Sequence, residues 1–254
     1  MNSIDNTLFI GKVLLSLERI ASTNQYALDL LDKKKPAEGT IVLAYDQYAG
    51  RGQVNKHWES EPGKNLTCSI SLYPNFLPAR QQFVLSQVVA LSIADTIRFF
   101  IPNGVTIKWP NDLYVYDKKI TGILIQNALQ GSKIKSSVIG IGLNVNQTIF
   151  KSDAPNPTSV ALEIKREIEL ETVLTKLCQA LEKWYLKLKA GKVEEIHSAY
   201  LLQLFRRNEI HNYRRLDGSI FSGRIKSTSA TGQLVIDTDK GEELFSLKEI
   251  RYVF

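Results

Sequence analysis

The chain has 254 residues, which suits one or two domains. Its composition, 44% hydrophobic and 23% charged, is that of a globular protein and excludes a mainly disordered or collagen-like chain. The net charge of +6 is a mild excess, which suits either a solvated surface or attraction of an anionic nucleotide or acidic partner.

The sequence shows no clear membrane span, export signal or metal-binding cysteine pattern. No run of about 18 apolar residues is found, so we expect no membrane-spanning helix. The start does not resemble an export signal, because Asp5 precedes the apolar part and Glu18 and Arg19 follow it. Two isolated cysteines, Cys68 and Cys178, and three scattered histidines favour a reducing compartment and exclude a zinc-spaced cluster. We therefore expect a cytoplasmic protein with no metal site built by its own side chains.

The first 205 residues alternate helix and strand signals. A polar cluster at Ser22 and Thr23 precedes an apolar run that ends in three lysines before Pro36, which predicts a capped helix. We expect the strand at 137–145 to lie at an exposed sheet edge, where a second copy could pair with it. Strands are predicted at 40–45, 66–72, 105–109, 113–116, 119–126 and 137–145, and helices at 81–100, 159–166, 170–189 and 193–205.

The tail has a different pattern. Turn signals at 217–218, 231–232 and 240–241 separate short alternating strands, which predicts a small antiparallel barrel. We place the boundary near Arg206, giving domains 1–205 and 206–254. Residues 205–254 carry nine basic and seven acidic side chains, so no basic stripe marks a nucleic-acid-binding surface.

The first motif is Gln47-x-Ala49-Gly50-Arg51-Gly52-Gln53, followed by Lys56 and Trp58. Its glycines let the backbone approach a ligand, and Arg51 offers five donors to a carboxylate or phosphate. The dinucleotide fingerprint and the Walker loop are both absent. A surface turn with a solvated arginine is an equally open interpretation.

The second and third motifs are KWPNDL at 108–113 and GIGLNVN at 140–146. Asp112 opens a strand and Lys119 lies on the strand that heads back, so a carboxylate and a cation can meet there. The alternatives are a turn-forming Asp112 and an exposed hairpin Lys119. Gly140 and Gly142 leave one strand face open to a flat ligand, or to tight packing against a helix.

Together, GRGQ…W.S..G.NL, KWPNDL…KKI.GIL and GIGLNVN resemble the biotin protein ligases in order and spacing, and the resemblance is nearly full length. It implies an α+β fold: a mixed or antiparallel sheet flanked by helices, like the class II synthetase core, followed by an SH3-like β-barrel. It also implies an ATP-dependent ligase that forms biotinyl-5′-AMP and transfers biotin to a lysine of a biotin carboxyl carrier protein. Because two anions must meet, the reaction needs cations and Mg²⁺.

The resemblance also implies residue roles. Lys119 is the main catalytic residue, binding carboxylate and α-phosphate oxygens, and Arg51 and Asp112 assist it. A neutral bicyclic ring needs paired donors and acceptors, and the positions implied to bind biotin are Ser22, Thr23, Asn24, Gln47, Gly50, Arg51 and Gly122. The positions implied to bind ATP or the adenylate are Arg51, Gly52, Gln53, Lys56, Trp58, Lys119 and Asn144.

Some implications are less direct. We expect Trp58 and Trp109 to pack around the site rather than take part in the chemistry. Many family members have a second basic residue where this chain has Gln53, so a phosphate contact is lost there unless Lys56 replaces it.

Two rival functions stay open. A lipoate or octanoate ligase could use the same core, although the polar trio Ser22, Thr23 and Gln47 suits a ureido ring better than an acyl chain. A nucleic-acid-binding regulator is the other rival. A helix-turn-helix domain needs about 50–60 residues, whereas the polar cluster begins about 20 residues in, so we expect no such domain. We expect neither nucleic acid nor membrane as a partner, and a homodimer stays possible.

Overall fold

Seven strands form the main sheet in the computed structural model, which describes residues 3–52, 57–151 and 156–253. Their spatial order is β1-β2-β3-β7-β6-β5-β4, with β1 and β2 parallel and every other pair antiparallel. The predicted mixed sheet is therefore confirmed. The strands are β1 (Leu14–Ile20), β2 (Ile41–Gln47), β3 (Leu66–Leu72), β4 (Val105–Lys108), β5 (Asp112–Val115), β6 (Lys118–Gln130) and β7 (Lys133–Leu143).

Five α-helices accompany this sheet: α1 (Thr23–Lys33), α2 (Gln82–Phe100), α3 (Val160–Ile164), α4 (Leu170–Lys189) and α5 (Val193–Leu202). The Ser22 side chain caps α1 by accepting a hydrogen bond from the Gln25 amide, as the polar cluster predicts. Helix α4 has the predicted bounds, whereas α3 ends at Ile164 rather than residue 166 and α5 ends at Leu202 rather than Phe205.

The two faces of the main sheet differ in composition. Ile139, Ile141 and Leu143 of β7 belong to the main core, which also contains the buried faces of α2 and α4. The alternate positions, Gly140 and Gly142, face the side of α1, because successive side chains on a strand point to opposite faces. The α1 side is thus only partly filled, and this is where a ligand can lie.

Both cysteines belong to the main core. Cys68 and Cys178 are free and buried. Burial raises the pKa of the Cys68 thiol to about 12, so the thiol stays protonated at neutral pH. Both residues therefore act as small apolar side chains, as expected from their isolation.

Helix α2 corrects one expectation. With its preceding 3₁₀ turn it is, among the described residues, long and apolar enough to cross a membrane by length and composition. We expect no such segment from the sequence, because polar side chains interrupt the apolar run. The helix is core rather than surface, since 67% of its most apolar window is buried and it packs between the sheet, α4 and α5.

A second sheet forms the C-terminal part. Its five antiparallel strands have the order β11-β10-β9-β8-β12 and the three predicted turns. This arrangement is compatible with the expected SH3-like barrel, while the boundary at Arg206 stays a prediction. The strands are β8 (Ile210–Arg215), β9 (Ile220–Thr228), β10 (Leu234–Thr238), β11 (Gly241–Phe245) and β12 (Ile250–Tyr252).

Hydrogen bonds connect the main sheet to the C-terminal part of the chain. Trp109 Nε1 donates to the Gly232 carbonyl over 2.9 Å. Ile107 of β4 exchanges backbone hydrogen bonds with the segment after α5, donating to Gln203 and accepting from Phe205 at 2.8 and 2.9 Å. Trp109 of the KWPNDL motif is therefore in direct contact with the small sheet.

Three local predictions were wrong. The strand predicted at 137–145 is not at an edge, because β7 pairs with β3 on one side and β6 on the other. Strand β1 was not predicted at all. The strands predicted at 113–116 and 119–126 imply a turn at 117–118, whereas the turn lies at Tyr116 and Asp117 and Lys118 already begins β6.

Candidate active site

A buried polar network lies where α1 begins beside β2 and β3. Gln47 Oε1 accepts from the Thr23 backbone amide at 2.8 Å and from the Thr23 hydroxyl at 3.1 Å. The Ser69 hydroxyl donates to Thr23 Oγ1 at 2.8 Å and to Asn24 Oδ1 at 2.5 Å. The structure thus brings together Thr23, Asn24 and Gln47, which the sequence places in two separate segments.

Both the nitrogen and the oxygen of the Asn24 side-chain amide form hydrogen bonds within the protein. Its Nδ2 donates to the Leu124 carbonyl at 3.2 Å and to Gln126 Oε1 at 3.1 Å, while its Oδ1 accepts from Ser69. Gly140 is beneath it, and a Cβ there would lie 2.3 Å from Asn24 Oδ1. Asn24 therefore fixes α1 to the sheet.

A cavity of about 570 Å³ opens beside this network. Such a volume suits a small-molecule ligand. Its lining combines the start of α1, the glycine-rich loop and one face of β6, namely Ser22, Asn24, Gln25, Ala49, Gly50, Arg51, Gly52, His57, Leu124 and Gln126.

Gly122, Gly140 and Gly142 lie on the same face of the sheet, which we call the glycine face, and the indole of Trp58 lies on it. A Cβ at Gly142 would come within 2.3 Å of Trp58, and one at Gly122 within 2.8 Å. The Trp58 Nε1 atom is buried and has no hydrogen-bond partner among the described residues. The flat group expected on these glycines is, in this structure, the side chain of Trp58 itself.

Lys119 and Asp112 form an ion pair next to Trp58. Lys119 Nζ lies 2.7 Å from Asp112 Oδ1, and both side chains are mostly buried, with exposures of 23% and 17%. The ammonium also lies 5.7 Å from the centroid of the Trp58 ring, within cation–π range. Asp112 pairs with Gly122 across β5 and β6, so its side chain is on the glycine face.

A short segment fixes the backbone of Lys119. The Lys119 amide donates to the Asn156 carbonyl at 2.8 Å, and the Thr158 amide donates to the Lys119 carbonyl at 2.9 Å. Asn144 Nδ2 donates to the Thr158 carbonyl, while Asn144 Oδ1 is buried without a partner among the described residues. A buried acceptor without a donor is a place where a ligand can contribute one.

The sequence-predicted residues therefore fall into two groups around the glycine face. Ser22, Thr23, Asn24 and Gln47 lie at the α1 end, while Lys119, Asp112, Trp58 and Asn144 lie at the β5–β6 end. Gly50, Arg51 and Gly52 line the cavity, and Gly122 is beneath Trp58. Gln53 and Lys56 lie outside the described residues.

Sequence reasoning missed two residues of the network, Ser69 and Gln126. Ser69 is fully buried in the middle of a hydrophobic-looking strand. A signal existed, because Thr67, Ser69 and Ser71 alternate with apolar residues and define a polar face of β3.

The electrostatics suit an anionic ligand. A lysine ammonium next to a carboxylate can bind a carboxylate or phosphate oxygen, and the burial strengthens that attraction. Among the described residues, no group of three or more His, Cys, Asp or Glu could hold a metal ion by itself.

Comparison with known protein families gives a match to the part of the chain that builds this site. The model of the Biotin/lipoate A/B protein ligase family matches residues 16–144, about half of the chain. This span includes both ends of the glycine face and the Lys119–Asp112 pair.

Individual relatives extend over most of the chain. The bifunctional ligase/repressor BirA of Bacillus spizizenii is 28% identical over 240 residues, which is 91% of this chain and 71% of that protein. The biotin–[acetyl-CoA-carboxylase] ligase of Paracoccus denitrificans is 28% identical over 242 residues, which is 92% of this chain and 98% of that protein. The fold is that of the biotin protein ligase from Aquifex aeolicus, solved with biotin and ATP, at a TM-score of 0.78, 24% identity and coverage of 94% and 99%.

Proposed function

Because the chain belongs to the Biotin/lipoate A/B protein ligase family, we propose that it attaches biotin to a lysine of a biotin carrier protein, through biotinyl-5′-AMP and at the expense of ATP. The observation that carries this proposal is the shared sheet face. It holds the Thr23–Gln47 network at one end and the Lys119–Asp112 pair at the other. A neutral ring and a reacting carboxylate can therefore occupy a single site.

The first step is adenylation. A biotin carboxylate oxygen attacks the α-phosphorus of ATP, the bond to the β-phosphate oxygen breaks, and pyrophosphate leaves. Lys119 offsets the repulsion between the two anions, since its ammonium can contact the carboxylate and α-phosphate oxygens together. The ion pair and the backbone bonds to Asn156 and Thr158 hold this lysine in place before the substrates arrive.

The second step is transfer. The ε-amino nitrogen of the carrier lysine attacks the carbonyl carbon of the mixed anhydride, AMP leaves, and one proton is released. Asp112 is the carboxylate next to that carbon and can orient the incoming amine. Arg51 lines the cavity on the glycine-rich loop and is placed to hold the phosphate of the intermediate.

Mg²⁺ is part of the proposal. When bound, it would neutralise phosphate charge on ATP. The residues fit a cation that arrives with the nucleotide, because Asp112 supplies one carboxylate, and Mg²⁺ is commonly bound by one or two carboxylates and substrate phosphates. Asn144 Oδ1 is a second hard oxygen donor without a partner in the described chain.

The acceptor is the biotin carrier of a carboxylase. Support comes from the names of relatives, which include biotin–[acetyl-CoA-carboxylase] ligases of Paracoccus denitrificans and Mycobacterium tuberculosis. A cytoplasmic location and, secondly, action without nucleic acid belong to the proposal as well. Binding of random-sequence DNA in a gel shift at moderate salt tests the second point, since tight salt-sensitive binding would contradict it.

Native mass spectrometry after incubation with biotin and Mg-ATP tests the main proposal. We expect a bound mass equal to biotinyl-AMP, and none when lipoate replaces biotin. Biotin-dependent exchange of labelled pyrophosphate into ATP is the second readout, because it detects adenylation even when the intermediate dissociates. Folded protein that shows neither signal would contradict the proposal, whereas signals with lipoate alone would favour the lipoate ligase.

A further inference from the structure

The polar network at the start of α1 has a fixed direction of hydrogen bonding. A backbone amide can only donate, so the Gln47 atom 2.8 Å from the Thr23 amide is the oxygen. A backbone carbonyl can only accept, so the Asn24 atom next to the Leu124 carbonyl is the nitrogen. The opposite ends of both amides follow from these two contacts.

Ser69 is at the centre of this network. Its hydroxyl has one proton and two acceptors, Thr23 Oγ1 at 2.8 Å and Asn24 Oδ1 at 2.5 Å. The side chain is fully buried, so water cannot replace these bonds. Without Ser69, Asn24 Oδ1 would lose its donor and Thr23 would lose one of the two contacts that fix its rotamer.

The pattern of bonds decides what the network can offer to a ligand. Thr23 gives its hydroxyl proton to Gln47 and accepts from Ser69, so one lone pair of Thr23 Oγ1 remains. Gln47 uses its oxygen twice and turns its Nε2 towards Gly50, at the cavity lining. The network therefore presents an acceptor beside a donor, and the N–H and C=O of a cyclic urea are the complementary pair.

We infer that Ser69 is a positioning residue that sets the donor and acceptor polarity of the biotin-binding end of the site. It acts through Thr23 and Asn24 rather than by contacting the ligand. The inference rests on the proposed function, because it assumes that the ring bound here is a cyclic urea. It extends that function by naming a residue of β3 that determines specificity.

The chain supplies a matched control two residues away. Ser71 is on the same face of β3 and is equally buried. Its hydroxyl has no hydrogen-bond partner among the described residues. Ser69→Ala and Ser71→Ala therefore remove the same atom from the same strand, and only the first removes bonds of the network.

The experiment is calorimetric titration of the full chain and both variants with three ligands. Biotin and desthiobiotin share the urea edge, whereas 2-iminobiotin replaces the urea oxygen by an N–H group. For Ser69→Ala we expect about tenfold weaker binding of biotin and desthiobiotin, because buried bonds are lost. We expect a change below about threefold for 2-iminobiotin, which the wild-type polarity already disfavours, and wild-type behaviour for Ser71→Ala.

Several results would overturn the inference. Equal weakening of all three ligands would indicate a merely structural role, and so would identical behaviour of the two alanine variants. If Ser69→Ala does not fold, Ser69→Cys retains the volume with a weaker donor, and it must weaken biotin more than 2-iminobiotin. A wild type that binds no biotin would contradict the proposed function itself, whereas a wild type that binds biotin isolates the role of Ser69.

Discussion

Lys119 owes its position to contacts on three sides. Its ammonium forms an ion pair with Asp112 and lies near the ring of Trp58. Its backbone forms hydrogen bonds with Asn156 and Thr158. A lysine on a flexible stem would lose entropy on binding two anions, and this one is already ordered. The same side chain in an open hairpin, the alternative raised from the sequence, would lack this preorganisation.

Replacement of Lys119 should act on adenylation first. We expect Lys119→Ala to lower biotin-dependent pyrophosphate exchange by about 10²-fold or more, as for loss of one preorganised electrostatic contact. Lys118→Ala is the matched control, because Lys118 is the adjacent lysine and pairs with Glu163 outside the site. Near-normal exchange in Lys119→Ala would remove this residue from the chemistry.

Arg51 should act on retention of the intermediate. Its side chain is exposed at the cavity and forms no ion pair within the described ranges. We expect Arg51→Ala to release biotinyl-AMP, so that lysines of a bystander protein such as albumin become biotinylated, and streptavidin blotting measures this. Arg166→Ala, an exposed arginine after α3, serves as control. Wild-type lifetime of the intermediate in Arg51→Ala would contradict this role.

At the scale of elements, the sequence predicts what short patterns control. The capped α1, the core strands β2 and β3, and the Asp112–Lys119 approach all follow from local caps, alternation and turns. Strand β1 was not predicted, because its exposed side chains include Glu18 and Arg19 and no regular alternation of apolar residues marks it. The position of β7 inside the sheet depends on long-range pairing, which a single strand pattern does not specify.

The glycine face of β7 yields a paired prediction. A Cβ at Gly140 meets Asn24, whereas a Cβ at Gly142 meets Trp58. We expect Gly140→Ala to raise the KM for biotin about tenfold or more, since the α1 network must move. Gly142→Ala should instead displace the indole and raise the KM for ATP.

Steady-state kinetics with each substrate varied in turn measures this split. Tryptophan fluorescence reports the second variant, because the environment of Trp58 changes only there. If both variants raised the same KM, the division of the glycine face into a biotin end and a nucleotide end would be wrong.

At the scale of the whole molecule, the KWPNDL motif makes two kinds of contact. Asp112 belongs to the reactive pair, while Trp109 bonds to Gly232 of the small sheet and packs in the core. Because only Pro110 and Asn111 separate Trp109 from Asp112, we expect movement of the small sheet to change the position of Asp112. The same six-residue motif thus contacts both the C-terminal part and the reactive pair.

Loss of the hydrogen bond between Trp109 and Gly232 should loosen the small sheet from the main sheet. Trp109→Phe removes the indole N–H together with part of a buried ring, so we expect the free energy of unfolding to fall by about 2 kcal/mol, from the lost bond and the cavity together. Trp184→Phe makes the same ring change and removes an indole bond to the Asp95 carboxylate, away from the small sheet. Urea unfolding should show similar losses for both, but limited proteolysis should become faster near residues 203–209 only in Trp109→Phe. Equal cleavage in both variants would show that this bond does not hold the small sheet.

The backbone bonds at Ile107 have one more effect, on aggregation. Strand β4 is the last strand of the main sheet, and residues 203–205 cover the N–H and C=O groups that Ile107 turns outwards. At the opposite end, β1 pairs only with β2 in the described chain, and exposed Glu18 and Arg19 discourage another strand from adding there. A chain cut before Gln203 would lack this cover and offer a strand-addition surface at β4, so it should form insoluble assemblies on expression.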